Sequence, residues 1–212
     1  MIQSICATST EGQIRLNLRR LFLLIFGLVL FSPCLYSADL QVGKDDYDRK
    51  DYAKAAKELA PLAQQGNIDA QVLLGKMYML GEGLPKDTDL ALKWFRAASD
   101  QGNAEAEFFL GAMCLLPRRD IPQGLKWLRL SAQQGTADAQ LLLGMAYLKG
   151  DDLPHDLVQA DMWLHLSATQ GDRLATAQYE QAERHMTPDQ IEKARALAQA
   201  WSPRTAANNN NN

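Results

Sequence analysis

Cysteine is scarce in this chain: there are three in 212 residues, and two of them, Cys6 and Cys34, lie before residue 39. Only Cys114 falls in the body, so no internal disulfide framework can form there and stability must come from packing. Histidine is equally rare, and His155, His165 and His185 are followed by Asp156, Leu166 and Met186. No His-Glu-x-x-His helix exists to seat zinc, and Gly-x-Ser-x-Gly elbows and Ser-x-x-Lys pairs are missing too. Gly81 and Gly83 lack the Gly-Lys-Ser/Thr that a phosphate loop needs. The sequence therefore nominates no catalytic, cofactor-binding or metal-ligating residue, and it reads as non-enzymatic. No basic block follows Arg20, and 22 cationic against 25 anionic residues leave a net charge of -3, so no nucleic-acid footprint is present. A mean hydropathy of -0.26 excludes a polytopic membrane protein. β-Branched residues are few beside alanine, leucine and glutamine, which favours helix over strand.

The N-terminus differs in kind. Arg15, Arg19 and Arg20 precede an unbroken apolar run from Leu21 to Phe31, and small residues follow up to Ala38. That order is the pattern of a secretory signal peptide over residues 1–38. The run is short beside the roughly 20 apolar residues of a spanning helix, yet extended through Tyr36 it also fits an uncleaved anchor over 21–36. Cys34 invites a lipoprotein reading, which Pro33 immediately before it opposes. The expected location is outside the cytoplasm, periplasmic or secreted, with anchoring in the inner membrane as the alternative. Removal of 1–38 would leave 19 cationic and 24 anionic residues, a net -5.

What the chain has in abundance is repetition. Gln-Gly dipeptides end at Gly66, Gly102, Gly135 and Gly171, separated by 36, 33 and 36 residues. Eight residues before the last three stand Trp94, Trp127 and Trp163; four after all of them stand Ala70, Ala106, Ala139 and Ala175. Nine after the first three stand Gly75, Gly111 and Gly144. Each unit reads as two helices joined at a left-handed glycine, where the missing Cβ removes a steric penalty. A glycine inside the second helix costs roughly 1 kcal/mol against alanine, so its recurrence implies close helix packing. Gly81-Glu82-Gly83-Leu84-Pro85-Lys86-Asp87 is echoed by Gly150-Asp151-Asp152-Leu153-Pro154-His155-Asp156 and joins one pair to the next. Asp87, Asp120 and Asp156 sit seven residues before each tryptophan, where an N-cap belongs.

At these residues the chain resembles the Sel-one-like repeat (SLR) family, relatives of the tetratricopeptide repeat, over Asp51 to about Trp201. The resemblance implies an all-α, right-handed solenoid of about four helix-turn-helix units, near 50–86, 87–119, 120–155 and 156–186 within 39–186. Glu58 replaces tryptophan in the first unit, as suits a terminal repeat. The second unit has a shortened loop at Leu115–Arg119, and the fourth carries an insertion that puts Ala182 at the glycine position. Thr187, Pro188 and Gln190 then start a capping helix over 187–201, expected to cover the open end of the stack. Residues 202–212 read as a disordered tail.

The resemblance also implies a non-catalytic protein–protein interaction module. Around each tryptophan, residues three apart share one helix face: Lys93 and Arg96, Lys126 and Arg129, Met162 and His165, with Lys57 matching in the first unit. First helices line the concave side of tetratricopeptide arrays, so this strip is a candidate clamp for an acidic segment or a C-terminal carboxylate, with Met162 as an adaptable apolar contact. The alternative is a solvated face pairing locally with Asp89 or Asp100. The tryptophans read as inter-repeat core before they read as a stacking ladder, and Cys114 as a small apolar group before a reactive thiol. Cysteine-rich relatives associated with β-lactams carry a disulfide in each repeat, which this sequence lacks. Envelope or peptidoglycan association stays open as an alternative, and membrane contact is expected only through an uncleaved N-terminus.

Overall fold

The computed structural model describes residues 39–115 and 120–203. Residues 1–38, 116–119 and 204–212, on which the readings of a signal peptide or anchor, of most of the shortened loop and of the disordered tail fall, therefore lie outside the described residues. Everything regular among them is helical. A helix over 39–48 (α1) comes first. It is followed by α2 Tyr52–Gln64, α3 Ile68–Leu80, α4 Thr88–Ser99, α5 Ala104–Leu115 and α6 Ile121–Gln133. The series ends with α7 Ala137–Lys149, α8 Leu157–Thr169, α9 Arg173–Glu183 and α10 Pro188–Ala200. None of these is long and apolar enough to cross a membrane.

The repeat chemistry sets these boundaries. Gly66, Gly102, Gly135 and Gly171 all have positive φ, between 80° and 100°, and turn the chain between the two helices of each unit. Asp87 and Asp156 cap α4 and α8, accepting backbone N–H bonds at 2.9 Å from Leu90 and 3.0 Å from Val158. Asn67 and Asn103 do the same for α3 and α5, at 2.9 and 2.8 Å from Ala70 and Ala106. Thr187 forms a full capping box with Gln190 at the start of α10.

Packing between units runs from each second helix to the next first helix. A Cβ on Gly75 would lie 2.7 Å from the Phe95 ring, and one on Gly144 2.7 Å from Leu164 Cγ. Gly111 faces a second small residue, Gly124, whose carbonyl oxygen would be 3.1 Å from the added atom. Above this apolar seam runs a polar one. Gln101 Nε2 donates to Gln71 Oε1 at 3.0 Å and to the Gly66 carbonyl at 3.1 Å. Gln170 repeats the arrangement on Gln140 and Gly135, at 2.9 and 3.0 Å. Ser131 and Ser167 hydroxyls bond the carbonyls of Ala104 and Ala137 at 2.7 and 2.9 Å. The glutamine of each of the last three Gln-Gly pairs, Gln101, Gln134 and Gln170, is thus a bracket onto the preceding unit.

Both ends depart from expectation. The helix α1 precedes the first repeat and lays Leu40 and Tyr47 on the α2–α3 core. Its Asp46 is 1% exposed and held by Arg49 at 2.6 Å and Lys54 at 3.3 Å. At the other end α10 lies along α8, not against α9 as the regular stacking would place it. Leu197, Ala198 and Trp201 join the α8 core, with the Trp201 and Trp163 ring centroids 6.5 Å apart.

Candidate functional site

Lys57 on α2, Lys93 and Arg96 on α4, and Lys126 and Arg129 on α6 are all exposed. They hold equivalent register positions on successive first helices, so the strip persists through three units. Its setting changes along the way. On α4 the two cations share a shallow depression with Asp89 and Asp100, and Lys93 Nζ lies 5.5 Å from the Trp94 ring centroid. The span of α6 contains no carboxylate at all, so Lys126 and Arg129 have no acidic neighbour on their own helix. The cationic character is therefore least compensated on α6.

The strip stops at α8. Met162 is 6% exposed and belongs to the core cluster that includes Trp163, Leu166 and Ala198 of α10. It is not an open contact for a partner; the exchange of lysine for methionine is what lets α10 settle there without burying a charge. His165 is half-buried, its ring 5.4 Å from Tyr179 on α9. The tryptophans are core elements: Trp94 packs on the α2–α3 cluster, Trp127 on the α4–α5 cluster, and Trp163 is 7% exposed. Cys114 is half-buried on α5.

Besides Asp46, two buried carboxyls within the repeats, Glu107 and Asp161, were not singled out by sequence reasoning. Glu107 stands where Gln71 and Gln140 stand in neighbouring units, is 6% exposed and accepts from Gln134 Nε2 at 2.8 Å. Burial pushes its carboxyl above the usual range, and the Gln134 bond opposes this. Asp161 on α8 is 1% exposed and pushed up to about 6, chiefly by burial and further by the Glu183 charge. The signal was available in both cases, since each is an acid at a position whose repeat equivalents are neutral.

A cleft between α1, α3 and the start of α5 gathers Lys44, Tyr47, Asp69, Lys76 and Glu105. Its cations are already matched, Lys44 to Asp69 at 2.5 Å and Lys76 to Glu105. Among the described residues no group of three or more His, Cys, Asp or Glu side chains converges on a possible metal position.

The sequence pattern of the Sel1 repeat matches residues 68–103, 104–136 and 137–172. That frame has the same period as the glycine spacing but pairs each second helix with the following first one, the seam where the glycines pack. Among solved structures, a Sel1 repeat protein from Oxalobacter formigenes is 30% identical with a TM-score of 0.61, over 66% of this chain and 58% of that one. The protective antigen c5321 of uropathogenic Escherichia coli, which displays an SLR fold, is 26% identical with a TM-score of 0.45, over 70% of this chain and 40% of that one. This chain thus spans less than two thirds of the length of either. No curated protein matches it.

Proposed function

The chain belongs to the Sel1 repeat family, whose members generally bind other proteins, and from that premise we propose that it is a non-catalytic scaffold for an acidic segment. The segment lies across the face formed by α2, α4 and α6, with Lys126 and Arg129 as its main anchors and Lys93, Arg96 and Lys57 extending the contact. The observation that carries this is the α6 pair: two exposed cations in register with those of α4, on a helix without a carboxylate. Charge of that kind sets association rate and specificity more than raw affinity, so binding should weaken steeply with salt. A free C-terminal carboxylate fits a lysine–arginine pair as well as an acidic side chain does. The place of action is the cell envelope or beyond, a reading supported by the cationic–apolar–small order of residues 15–38.

The test is binding of a labelled Asp/Glu-rich peptide, with free or amidated C-terminus, to the wild type and to Lys126→Glu/Arg129→Glu. The expected result is a Kd at least about tenfold weaker in the double variant, corresponding to about 1.4 kcal/mol. Equal binding by both folded proteins removes the strip from the reading. A preference for the free C-terminus distinguishes a carboxylate clamp from a general acidic groove.

A further inference from the structure

Helices α2, α4 and α6 are apolar on one side and polar on the other, as suits helices with one face in a core. Helices α3, α5, α7 and α8 are instead largely apolar around their whole circumference. A helix of that kind belongs where every side is covered. The chain covers two of them with an extra helix. On α8, α10 sets Ala198 and Trp201 against Met162 and Trp163. Beside α3, α1 pairs Lys44 with Asp69 and sets Tyr47 in one cleft with Leu73. Helices α5 and α7 have no such cover among the described residues. The substantial packing of α5 is on α4 and α6, and that of α7 on α6, α8 and α9. Of α5, only Glu105 reaches the α1 cleft.

The uncovered sides match in register. Glu105, Phe108 and Ala112 on α5, and Asp138, Leu141 and Met145 on α7, are spaced three and four apart, so each trio lies on one helix face. That face is turned away from the core positions Ala106 and Leu110 on α5 and Ala139 and Leu143 on α7. The two acids are exposed and the four apolar residues half-buried. Leu174, 51% exposed at the start of α9, holds the place of Glu105 and Asp138 in the next unit and extends the apolar surface. The span of α5 contains no cation, and that of α7 only Lys149 in its last turn. Glu105 is paired with Lys76 of α3, while Asp138 is in no ion pair among the described residues.

We propose that α5 and α7 form a second docking face, taken by an amphipathic helix of a partner with Lys or Arg along its edge. The fit is the one α10 makes on α8, where a helix of 13 residues presents Leu197 and Ala198. A partner helix of that length matches α5 and α7, which have 12 and 13 residues. Its apolar side meets Phe108, Ala112, Leu141 and Met145, and its cations meet Asp138 and, in exchange for Lys76, Glu105. Acids along the edge of an apolar face select such a helix over one with an acidic edge, because like charges set opposite each other cost binding. The strip on α4 and α6 has the opposite charge and lies on the first helices, so the chain joins two partners of opposite character. The second face does not depend on the strip.

The experiment is fluorescence anisotropy of a labelled synthetic peptide against the full chain. The peptide has the 13-residue length of α10, leucines at helical spacing and lysines along the edge of the leucine face. Met145→Glu should weaken its binding at least about tenfold, because a charge then stands in the apolar contact. Asp138→Lys, at an exposed position, should weaken it several-fold and flatten its salt dependence. Circular dichroism checks that each variant is folded, and Ala112→Glu is the second face variant if Met145→Glu folds poorly. Failure of the wild type to bind the peptide overturns the face, and so does equal binding by the folded face variants. Affinity that ignores Asp138→Lys overturns the basic edge of the partner. A dimer seen by light scattering and dissolved by Met145→Glu gives the face to a second copy of the chain and overturns the partner reading. Lys126→Glu/Arg129→Glu should leave the affinity for this peptide undiminished, so loss of the strip and loss of the second face are separate results.

Discussion

At the scale of single residues, the places where one repeat departs from its siblings are the places with measurable consequences. Glu107 substitutes for glutamine in the bracket that joins units. Gln71 and Gln140 each donate to the carbonyl eight residues back, Ala63 and Ala132, at 3.1 and 3.2 Å. A carboxylate cannot donate to the matching Ser99 carbonyl, and its burial raises its pKa. Below the ordinary carboxylate value both folded and unfolded chains hold the proton and there is no penalty. As pH rises through the raised folded value, the folded carboxyl must ionise in a poorly solvated place, and stability falls to a lower plateau. Glu107→Gln should therefore raise stability at pH 7 by about 1 kcal/mol, with the gain shrinking in acid. Urea midpoints at the two pH values read this directly, and a constant difference would refute it. Gly144 makes the opposite case. An alanine Cβ there sits 2.7 Å from Leu164 Cγ and 3.1 Å from the Ala160 carbonyl oxygen. Overpacking of about 1–3 kcal/mol exceeds the helix-propensity gain of up to about 1 kcal/mol, so Gly144→Ala should lower the urea midpoint.

At the scale of elements, most of the helices are legible because each boundary has a local chemical cause. Asp87, Asp156 and Thr187 cap from their own side chains, and the Gln-Gly turns stop helices through one glycine conformation. These are short-range effects that a sequence displays. What it does not display is pairing between elements. Helix α1 lacks the repeat signature, so nothing in the spacing announces that Leu40 and Tyr47 belong to the first core. The seat of α10 is likewise decided by three-dimensional contacts: its cap is visible in Thr187 and Gln190, but its docking on α8 depends on Met162 being uncharged and on Trp163 meeting Trp201. The strip was half legible for the same reason. Its register could be read, while the loss of its α8 portion under α10 could not. The glutamine bracket offers a test at this scale. Gln170→Ala removes two bonds to the preceding unit and strips Gln140 Oε1 of its donor. A cost of about 1–3 kcal/mol is expected, because an abandoned buried acceptor loses its full desolvation compensation. Gln64→Ala, exposed on α2, should stay within about 0.5 kcal/mol by the same denaturation measurement.

At the scale of the whole molecule, the substantial packing joins helices that are neighbours or next-but-one along the chain. Among the described residues no substantial packing joins a helix of the first unit to one of the last. Stability in such an array is a sum of unit terms and nearest-neighbour terms, so damage should spread only as far as the interfaces it touches. This separates a solenoid from a globule with one shared core, in which a core defect loosens every element together. Gly144→Ala strikes the α7–α8 seam, and its effect should be read where that seam lies. In moderate urea, amide protection should drop across α7, α8, α9 and α10, which depend on the seam directly or through α8. Protection of α2, α3 and α4 should remain at wild-type levels, because their glutamine bracket and the Gly75–Phe95 contact are untouched. A uniform rise in exchange across all ten helices would mean the units fold as one block. Confinement to the C-terminal half would mean that the part of the cationic face carried by α4 is held independently of the α7–α8 seam and of the helix α10 that rests on α8.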